Sequence, residues 1–344
     1  MSKKNMIVDY AILLLLSIGK RSFSALSRTM QKGRECVSRL LFPAEFYFER
    51  MQKIAVEVFA KHTKLIIAID ETLIKKIYSR YMQGSGWFFD QATMRSWNAY
   101  KLALAAVSDG KLMLPLECAF LFDKKLCTGT IMTREDFVIR MIHAIRKMFP
   151  HKKLIFVLDG AFATQSYLKW CLDHNVYTEV RMASNRVVWY KGKKRVIREI
   201  TALRPKGRQN SRTIKALWHG MQLYITAQRR FDKHGICSIV FQAATYRAKS
   251  SIHVQHYRAR WSIEKLIRTT KQLCGLQDCY SLKLETQLSH VAASLFAFTL
   301  AQLERKKRKL INPEAAIRSI KTRKLNFLNH HFNRMLQAFP SLHC

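Results

Sequence analysis

Two apolar runs that each end in an aspartate constrain the fold of this chain more than any other feature. The runs are KLIIAID, which ends in Asp70, and KKLIFVLD, which ends in Asp159. Continuous apolar runs bordered by helical patterns are typical of strands buried on both faces of a sheet. Ligands in open α/β sheets bind beyond the carboxyl ends of such strands. The sequence therefore predicts an α/β fold with two aspartates at the ligand-binding edge of its sheet.

The other segments predict further strands and helices around these two runs. NAYKLALAAV and KLMLPLECAFLF flank SDGK at residues 108–111, and Asp-Gly between apolar runs is a strong hairpin signal. TREDFVIRMIHAIRKMF is amphipathic and begins with a capping box, Thr133 with Asp136. A helical pattern and the strand pattern VYTEVRM follow the second run. The succession strand, hairpin, helix, strand, helix, strand predicts a mixed sheet.

The pattern also divides the chain into four parts. Residues 1–60 contain short helices with basic ends, which fit a DNA-binding-like module or an ordinary helical cap. Residues 61–183 and 251–300 form the predicted α/β core. Residues 184–250 consist of short, basic, β-rich segments, which we interpret as an insertion, and residues 301–344 form a basic helical tail.

The net charge of +37 indicates a polyanionic partner. The chain carries 60 Lys and Arg against 23 Asp and Glu, yet its 49% hydrophobic content is that of a folded protein. Residues 186–271 alone contain 21 Lys and Arg and three acids. This clustering favours nucleic acid over an anionic membrane surface. The segment RPKGRQNSR at residues 204–212 is predicted to be a mobile loop that contacts phosphates.

Cysteine usage and hydropathy favour a soluble cytoplasmic protein. The eight cysteines contain no C-x-x-C pair, which indicates reduced thiols. The apolar run AILLLLSI at residues 11–18 is too short to span a bilayer.

The segment YRARWSIEKLIRTTK places four polar side chains on one narrow stripe of a helix. Tyr257, Arg260, Glu264 and Lys271 fall within a sector about 60° wide at about 100° per residue. Taken alone, Glu264 is best explained as a salt-bridge partner of Arg260 or of Arg268, each four residues away.

Three acids together predict more than each one alone. By itself, Asp70 would suit a helix cap or a turn, and Asp159 before Gly160 would suit a turn. Glu71 is an alternative reactive residue, but it points to the opposite side of a strand. Converging carboxylates repel one another unless divalent cations neutralise them, and Mg²⁺ prefers oxygen ligands and phosphate. Asp70, Asp159 and Glu264 in a basic field therefore predict a two-metal phosphodiester site.

The chain resembles the DDE insertion-sequence transposases of the bacterial group marked by a Tyr-x2-Arg-x3-Glu-x6-Lys signature. The resemblance covers about residues 60–300. Asp70 and Asp159 fall where that group has its first two acids, and the β-rich segment matches its insertion domain. The signature is matched here by Tyr257, Arg260, Glu264 and Lys271.

This resemblance implies a ribonuclease-H-like core in which Asp70, Asp159 and Glu264 are catalytic and bind two Mg²⁺ or Mn²⁺ ions. Tyr257, Arg260 and Lys271 would contact DNA phosphates. The implied partners are double-stranded DNA, at the terminal inverted repeats and at the target, and a second copy of the protein on that DNA. The implied location is the bacterial cytoplasm at the nucleoid, with no membrane partner. Such enzymes cut by hydrolysis and join the freed 3′-hydroxyl to target DNA.

Several alternatives stay open at this point. The chain could instead be a non-catalytic DNA-binding repressor derived from a transposase, or a purely hydrolytic nuclease on the same core. Some relatives hold a flipped base with an aromatic residue, a role for Trp189 or Trp218 if they are not packing residues. Trp261 is predicted to pack in the core. Glu71 stands where a small residue is more familiar in the group, and its role is undefined.

Overall fold

A computed structural model of the protein describes residues 3–79, 81–122, 133–232, 234–322, 331, 332, 334 and 335. The helices are α1 (Lys3–Leu16), α2 (Phe23–Met30), α3 (Arg34–Arg39), α4 (Ala44–Val58), α5 (Arg134–Met148), α6 (Gln165–Asp173), α7 (Ser250–Leu273), α8 (Leu284–Arg308) and α9 (Pro313–Lys321). The strands are β1 (Lys64–Lys75), β2 (Gly86–Asp90), β3 (Arg95–Ser108), β4 (Met113–Leu121), β5 (Lys153–Leu158), β6 (Thr178–Met182), β7 (Val187–Tyr190), β8 (Lys193–Val196), β9 (Ser211–Trp218), β10 (Met221–Phe231) and β11 (Cys237–Ala244).

All of the strands just named belong to one mixed sheet. Its core has the order β4-β3-β1-β5-β6. Strand β2 pairs with the first residues of β3, 95–99, on the same edge as β4. Strands β1, β5 and β6 are parallel, whereas β3 is antiparallel to both β1 and β4. Numbered along the chain without β2, this order is 3-2-1-4-5, the order of a ribonuclease-H-like core. The predicted fold class, a mixed α/β sheet flanked by helices, is therefore confirmed.

Strand β1 is the central strand, and it extends further than predicted. Residues 65–69 are buried, and α7 packs across β1 and β5, as the continuous apolar run predicts. The prediction that this strand ends at Asp70 is wrong. Pairing with β5 stops at Ile69, opposite Leu158, but β3 continues to pair with β1 as far as Lys75. Asp70 therefore lies inside a strand, at the point where one of its two neighbours leaves.

The predicted hairpin and capping box are both present. Strands β3 and β4 are antiparallel, and Asp109 in the turn accepts hydrogen bonds from the backbone N–H groups of Lys111 and Leu112, both at 2.8 Å. At the start of α5, Thr133 accepts a hydrogen bond from the backbone N–H of Asp136, whose carboxylate accepts one from the backbone N–H of Thr133. Local sequence thus determines both the turn between β3 and β4 and the start of α5.

The first helices share one hydrophobic core with the rest of the chain. Helix α1 packs against α8 and α9, and α4 packs against α8 and β4. The hydroxyl of Tyr10 lies 2.8 Å from Nδ1 of His290, whose Nε2 lies 2.7 Å from the carbonyl oxygen of Gly275. In the described ranges, no helix is long and apolar enough to cross a membrane. The DNA-binding role of this part stays a prediction.

The β-rich segment continues the core sheet. Strands β7 to β11 follow β6 in the chain, and β11 pairs antiparallel with β6. The remaining strands of the segment add outward in the order β10-β9-β7-β8. Residues 301–322 are largely helical, whereas residues 323–330, 333 and 336–344 of the predicted tail lie outside the described residues.

A buried carboxylate joins α7 to the sheet. Glu179 on β6 is fully buried, and its Oε1 lies 2.9 Å from Nδ1 of His253 and 3.1 Å from Nδ1 of His256, both on α7. Tyr246 donates a hydrogen bond to the same oxygen, and Nζ of Lys64 on β1 lies 3.4 Å from Nε2 of His256. Burial alone would raise the pKa of Glu179, but hydrogen bonds from the two histidines outweigh it and lower the pKa. The sequence suggested no role for these histidines.

Replacing Thr133 with Ala should destabilise the protein by about 0.5–2 kcal/mol, because the first turn of α5 loses its side-chain cap. Urea unfolding of the variant and the parent measures the difference. Thr29→Ala is the control, since Thr29 is exposed and caps no helix: its hydroxyl donates to the carbonyl oxygen of Ala25 in its own helix and lies 3.4 Å from the hydroxyl of Ser17. An equal loss in both variants would contradict a capping role.

Replacing Glu179 with Gln should destabilise the protein by about 1.5–3 kcal/mol at neutral pH, because charged hydrogen bonds in a buried site are lost. The lowered pKa means that this contribution is present above the ordinary value of 4.5 and is lost as the pH falls through the folded-state pKa. The free-energy gap between parent and variant should therefore close in acid. A gap that stays constant from neutral to acid pH would exclude a charged Glu179. Glu35→Gln, at an exposed ion pair, is the control.

Candidate active site

Asp70 and Asp159 occupy equivalent places on two neighbouring parallel strands. The last paired residues of β1 and β5 are Ile69 and Leu158, and each aspartate comes directly after one of them. Since neighbouring strands lie about 4.8 Å apart, the two side chains start from adjacent backbone positions. Asp159 precedes a short 3₁₀ turn but makes no capping bond to it, so its carboxylate is free of the turn role considered from sequence. The two strands are neighbours, as the predicted convergence of the two carboxylates requires.

Arg260 of α7 joins Glu264 to Asp70. One terminal nitrogen of its guanidinium donates to Oδ2 of Asp70 at 3.0 Å, and the other donates to Oε1 of Glu264. The Arg260–Glu264 pair has the four-residue spacing of neighbours on a helix face. Arg260 is only 8% exposed, so its side chain is largely shielded from water. The salt bridge expected from the sequence is present, and it includes a second acid.

The environment of Asp70 favours its protonated form more than water does. The pKa of Asp70 is raised to about 6, chiefly by burial, with smaller contributions from the nearby charges of Asp159 and Glu264. Arg260 and the backbone N–H of Glu71, which donates to Oδ1 at 2.8 Å, oppose this shift. The charges of Asp159 and Glu264 are thus close enough to Asp70 to act on its carboxyl group.

The remaining signature residues, Tyr257 and Lys271, are mostly turned inward. The Tyr257 ring lies 5.5 Å from the Arg260 guanidinium, and burial raises the pKa of its phenol to about 12. Nζ of Lys271 donates to the carbonyl oxygen of Leu73 at 2.9 Å, and burial, with some repulsion from Lys75, lowers its pKa to about 8. Both residues line the same side of α7 as Glu264, as the predicted stripe requires.

The acids suit a divalent cation in the type of their donor atoms. Three carboxylates from β1, the end of β5 and α7 offer the oxygen ligands that Mg²⁺ prefers. Within the described part of the chain, however, no three His, Cys, Asp or Glu side chains are grouped as metal ligands. Arg260 supplies positive charge between Asp70 and Glu264 in this arrangement. A cation would relieve the repulsion that raises the pKa of Asp70.

Glu71 has a partner that sequence reasoning missed. Its carboxylate accepts two hydrogen bonds from Arg134, the first residue of α5, and lies 2.9 Å from Nζ of Lys101. Arg134 also donates to the carbonyl oxygen of Ala161, two residues beyond Asp159. Glu71 thus faces α5, whereas Asp70 faces α7, which confirms that the two acids lie on opposite sides of β1. The unusual acid beside Asp70 was the only sequence signal for this contact.

Two depressions meet at Glu264. The first, which we call the acid cleft, has a volume of 370 Å³ and is lined by Asp70, Glu264 and Lys271 among others. The second, which we call the aromatic groove, has a volume of 920 Å³ and is lined by residues of α7, β6, β10 and β11, including Glu264, Tyr257, Arg260, Trp261 and Arg230.

Three tryptophans considered from the sequence lie in different environments. Trp261 is 56% exposed in the aromatic groove, with the Arg230 guanidinium 5.3 Å from its ring, so the prediction that it packs in the core is wrong. The reason is that α7 buries the neighbouring positions Arg260 and Ile263 instead. Trp218 is buried, as a packing residue would be, whereas Trp189 is half exposed beneath Lys194.

A known protein family matches most of this chain, including the residues of the candidate site. The family described as transposase DDE domain matches residues 61–300. No curated protein matches the chain. A solved structure, the "Mos1 transposase paired-end complex with left transposon end", is similar at 14% identity, with a TM-score of 0.21, over 46% of this chain and 53% of that one. The chain thus spans about half the length of that protein. Because the family match covers well over half of its residues, the chain belongs to the transposase DDE domain family.

Proposed function

We propose that this protein is a DNA transposase that cleaves the terminal inverted repeats of its element and transfers the freed 3′-hydroxyl to target DNA. The proposal includes membership of the bacterial group with the Tyr-x2-Arg-x3-Glu-x6-Lys signature. The observation that carries it is the register of Asp70 and Asp159, each directly after the last residue that joins β1 to β5, with Glu264 joined to Asp70 through Arg260. The charge of +37 supports a polyanionic substrate.

The chemistry consists of two displacements at phosphorus. In the first, water attacks the phosphodiester at the element end, the bond from phosphorus to the 3′-oxygen breaks, and a 3′-hydroxyl and a 5′-phosphate result. In the second, that 3′-hydroxyl attacks a phosphorus of the target strand, a new bond to its oxygen forms, and the target 3′-oxygen leaves. No external energy source is required, because the first step is the hydrolysis of a phosphodiester and the second exchanges one phosphodiester bond for another.

The three acids would hold two Mg²⁺ or Mn²⁺ ions. Bound ions of this kind activate the attacking oxygen and stabilise the leaving oxygen. The chain itself positions Asp70 and Asp159 by strand register, and it positions Glu264 through α7. Arg260 keeps Asp70 and Glu264 together and lowers the repulsion between them.

Tyr257, Arg260 and Lys271 are proposed to contact DNA phosphates beside the acids. In the described structure, the Tyr257 hydroxyl and Nε of Arg260 are buried donors with no hydrogen-bond partner. Buried donors of this kind are normally satisfied, and a phosphate oxygen would satisfy both. Lys271 already lines the acid cleft, where a phosphate would meet its ammonium group.

The other features of the proposal follow from the reaction. Joining two element ends requires two copies of the protein on double-stranded DNA, and the location would be the bacterial cytoplasm at the nucleoid. The division into an N-terminal module at residues 1–60, a core at 61–183 and 251–300, an insertion at 184–250 and a tail at 301–344 stays a prediction.

Replacing Asp159 with Ala should abolish metal-dependent cleavage of DNA while DNA binding survives, because one of the three acids is lost without a change in the basic surface. Cleavage assays with Mg²⁺ or Mn²⁺ and gel-shift assays measure the two properties. Asp173→Ala is the control, since Asp173 is an exposed acid at the end of α6. Undiminished cleavage by the Asp159 variant would overturn the assignment of the three acids.

The same experiment tests a second candidate, a DNA-binding repressor derived from a transposase. The ion pairs of Arg260 with two of the acids favour this candidate, because they neutralise the carboxylates without metal. A parent protein that binds DNA but never cleaves it in the presence of either ion would support the repressor.

Offering the protein pre-cut element ends with a free 3′-hydroxyl should yield joined products with target DNA. The hydroxyl already present replaces the product of the first displacement, so transfer no longer depends on cleavage. Gel analysis of labelled ends measures joining, and ends with a 3′-deoxy terminus are the control. Cleavage of intact ends without any joined product would favour a purely hydrolytic nuclease.

A further inference from the structure

A third depression, which we call the basic groove, lies on the β-rich segment. It has a volume of 1630 Å³, and strand β9, the loop before it and the start of α7 line it. Five cations contribute to its walls, together with serine, threonine and amide side chains, and none of its lining residues is acidic. The five cations are Lys206, Arg212, Lys215, Arg247 and Lys249.

The charged groups of these five side chains have no partner within the described structure. None of them makes an ion pair, a side-chain hydrogen bond or a ring contact with any residue in the described part of the structure. By contrast, two cations beside the acids are ion-paired, Arg260 with Asp70 and Arg134 with Glu71. Five unpaired cations around one concave surface attract a polyanion, and they leave their donors available to it.

The walls of the basic groove are held in place before any partner arrives. Arg229 on β10 donates to the carbonyl oxygens of Gly207 and Pro205, both at 2.7 Å, and its backbone N–H donates to the carbonyl oxygen of Asn210 at 2.9 Å. The segment at residues 204–212, predicted to be a mobile loop, is therefore tied to the sheet at three points. At the opposite wall, α7 begins at Ser250 without a side-chain cap or an acid in its first turn, which adds positive potential.

The basic groove is continuous with the proposed site. Asn210 lines both the basic groove and the aromatic groove, and Glu264 lines both the aromatic groove and the acid cleft. The three depressions thus form one path from the acids, past Tyr257 and Trp261, to the β9 side of the sheet. A duplex bound at the acids has a concave surface along which to continue.

We propose that the basic groove binds the sugar–phosphate backbone of the same DNA duplex away from the bond that is cleaved. The inference takes its partner from the proposed function but concerns a separate surface. It also explains how a protein whose signature residues are largely buried gains affinity for DNA. Phosphate contacts of this kind orient a duplex without reading its sequence.

The test compares a groove variant with an equally neutralised control. The groove variant combines Arg212→Gln, Lys215→Gln and Lys249→Gln. The control combines Lys193→Gln, Lys194→Gln and Arg195→Gln on β8, which are exposed and do not line the basic groove. Affinity is measured over a range of salt concentrations on a short duplex that reaches only the acids and on a longer duplex. A charge-retaining set, Arg212→Lys, Lys215→Arg and Lys249→Arg, tests for misfolding.

On the long duplex, the slope of log affinity against log salt should fall by about 0.9 for each lost phosphate contact, hence by up to about 2.7 in the groove variant. The control and the charge-retaining set should keep the parent slope, and the groove variant should bind the short duplex like the parent. An equal decrease of this slope in the groove variant and the control, or no decrease in the groove variant on the long duplex, would overturn the inference. If neither the parent nor any variant cleaves DNA, but the groove variant alone shows a smaller slope of log affinity against log salt, the transposase proposal fails and the groove assignment stands.

Discussion

The ion pairs of Arg260 with Asp70 and Glu264 are the interaction on which the proposed site depends. Asp70 belongs to a strand and Glu264 to a helix that follows it by almost 200 residues, and one guanidinium bonds to both. Without it, two partly buried carboxylates would repel each other at the sheet surface. The same contact neutralises acids that a divalent ion would otherwise neutralise. Metal binding by these two acids would therefore require Arg260 to give up its bonds to them.

The position of Arg260 depends in turn on how α7 is held against the sheet. Glu179 lies beneath the start of α7 and contacts His253 and His256, two turns and one turn before Arg260, respectively. Further along the helix, Lys271 bonds to the backbone of β1. The helix is thus fixed on both sides of Glu264 by polar contacts in a buried interface. Apolar packing alone would tolerate small shifts along the helix axis, whereas hydrogen-bonded ion pairs fix its register.

Sequence reasoning identified the features that depend on local pattern. The two apolar runs predicted the central parallel strands, and the spacing from Tyr257 to Lys271 predicted a common helix face. Sequence reasoning failed where the structure depends on which helices and strands pack or pair with each other. The extension of β1 beyond Asp70 results from pairing with β3, and the bond between Glu71 and Arg134 results from the approach of α5 to β1. Trp261 was misplaced because its exposure depends on which side of α7 the sheet covers. The geometry of the three acids needed the structure for the same reason.

The pairing of β11 with β6 has a mechanical consequence. The β-rich segment carrying the basic groove joins the core through a ladder of backbone hydrogen bonds, and β6, which receives that ladder, also carries Glu179. The groove and the acids therefore belong to one continuous hydrogen-bonded sheet instead of two bodies on a flexible tether. For a duplex that occupies both, the sheet would set the distance between the two contacts. The number of base pairs between the gripped backbone and the cut bond would then be a fixed property of the protein, independent of the DNA sequence between them.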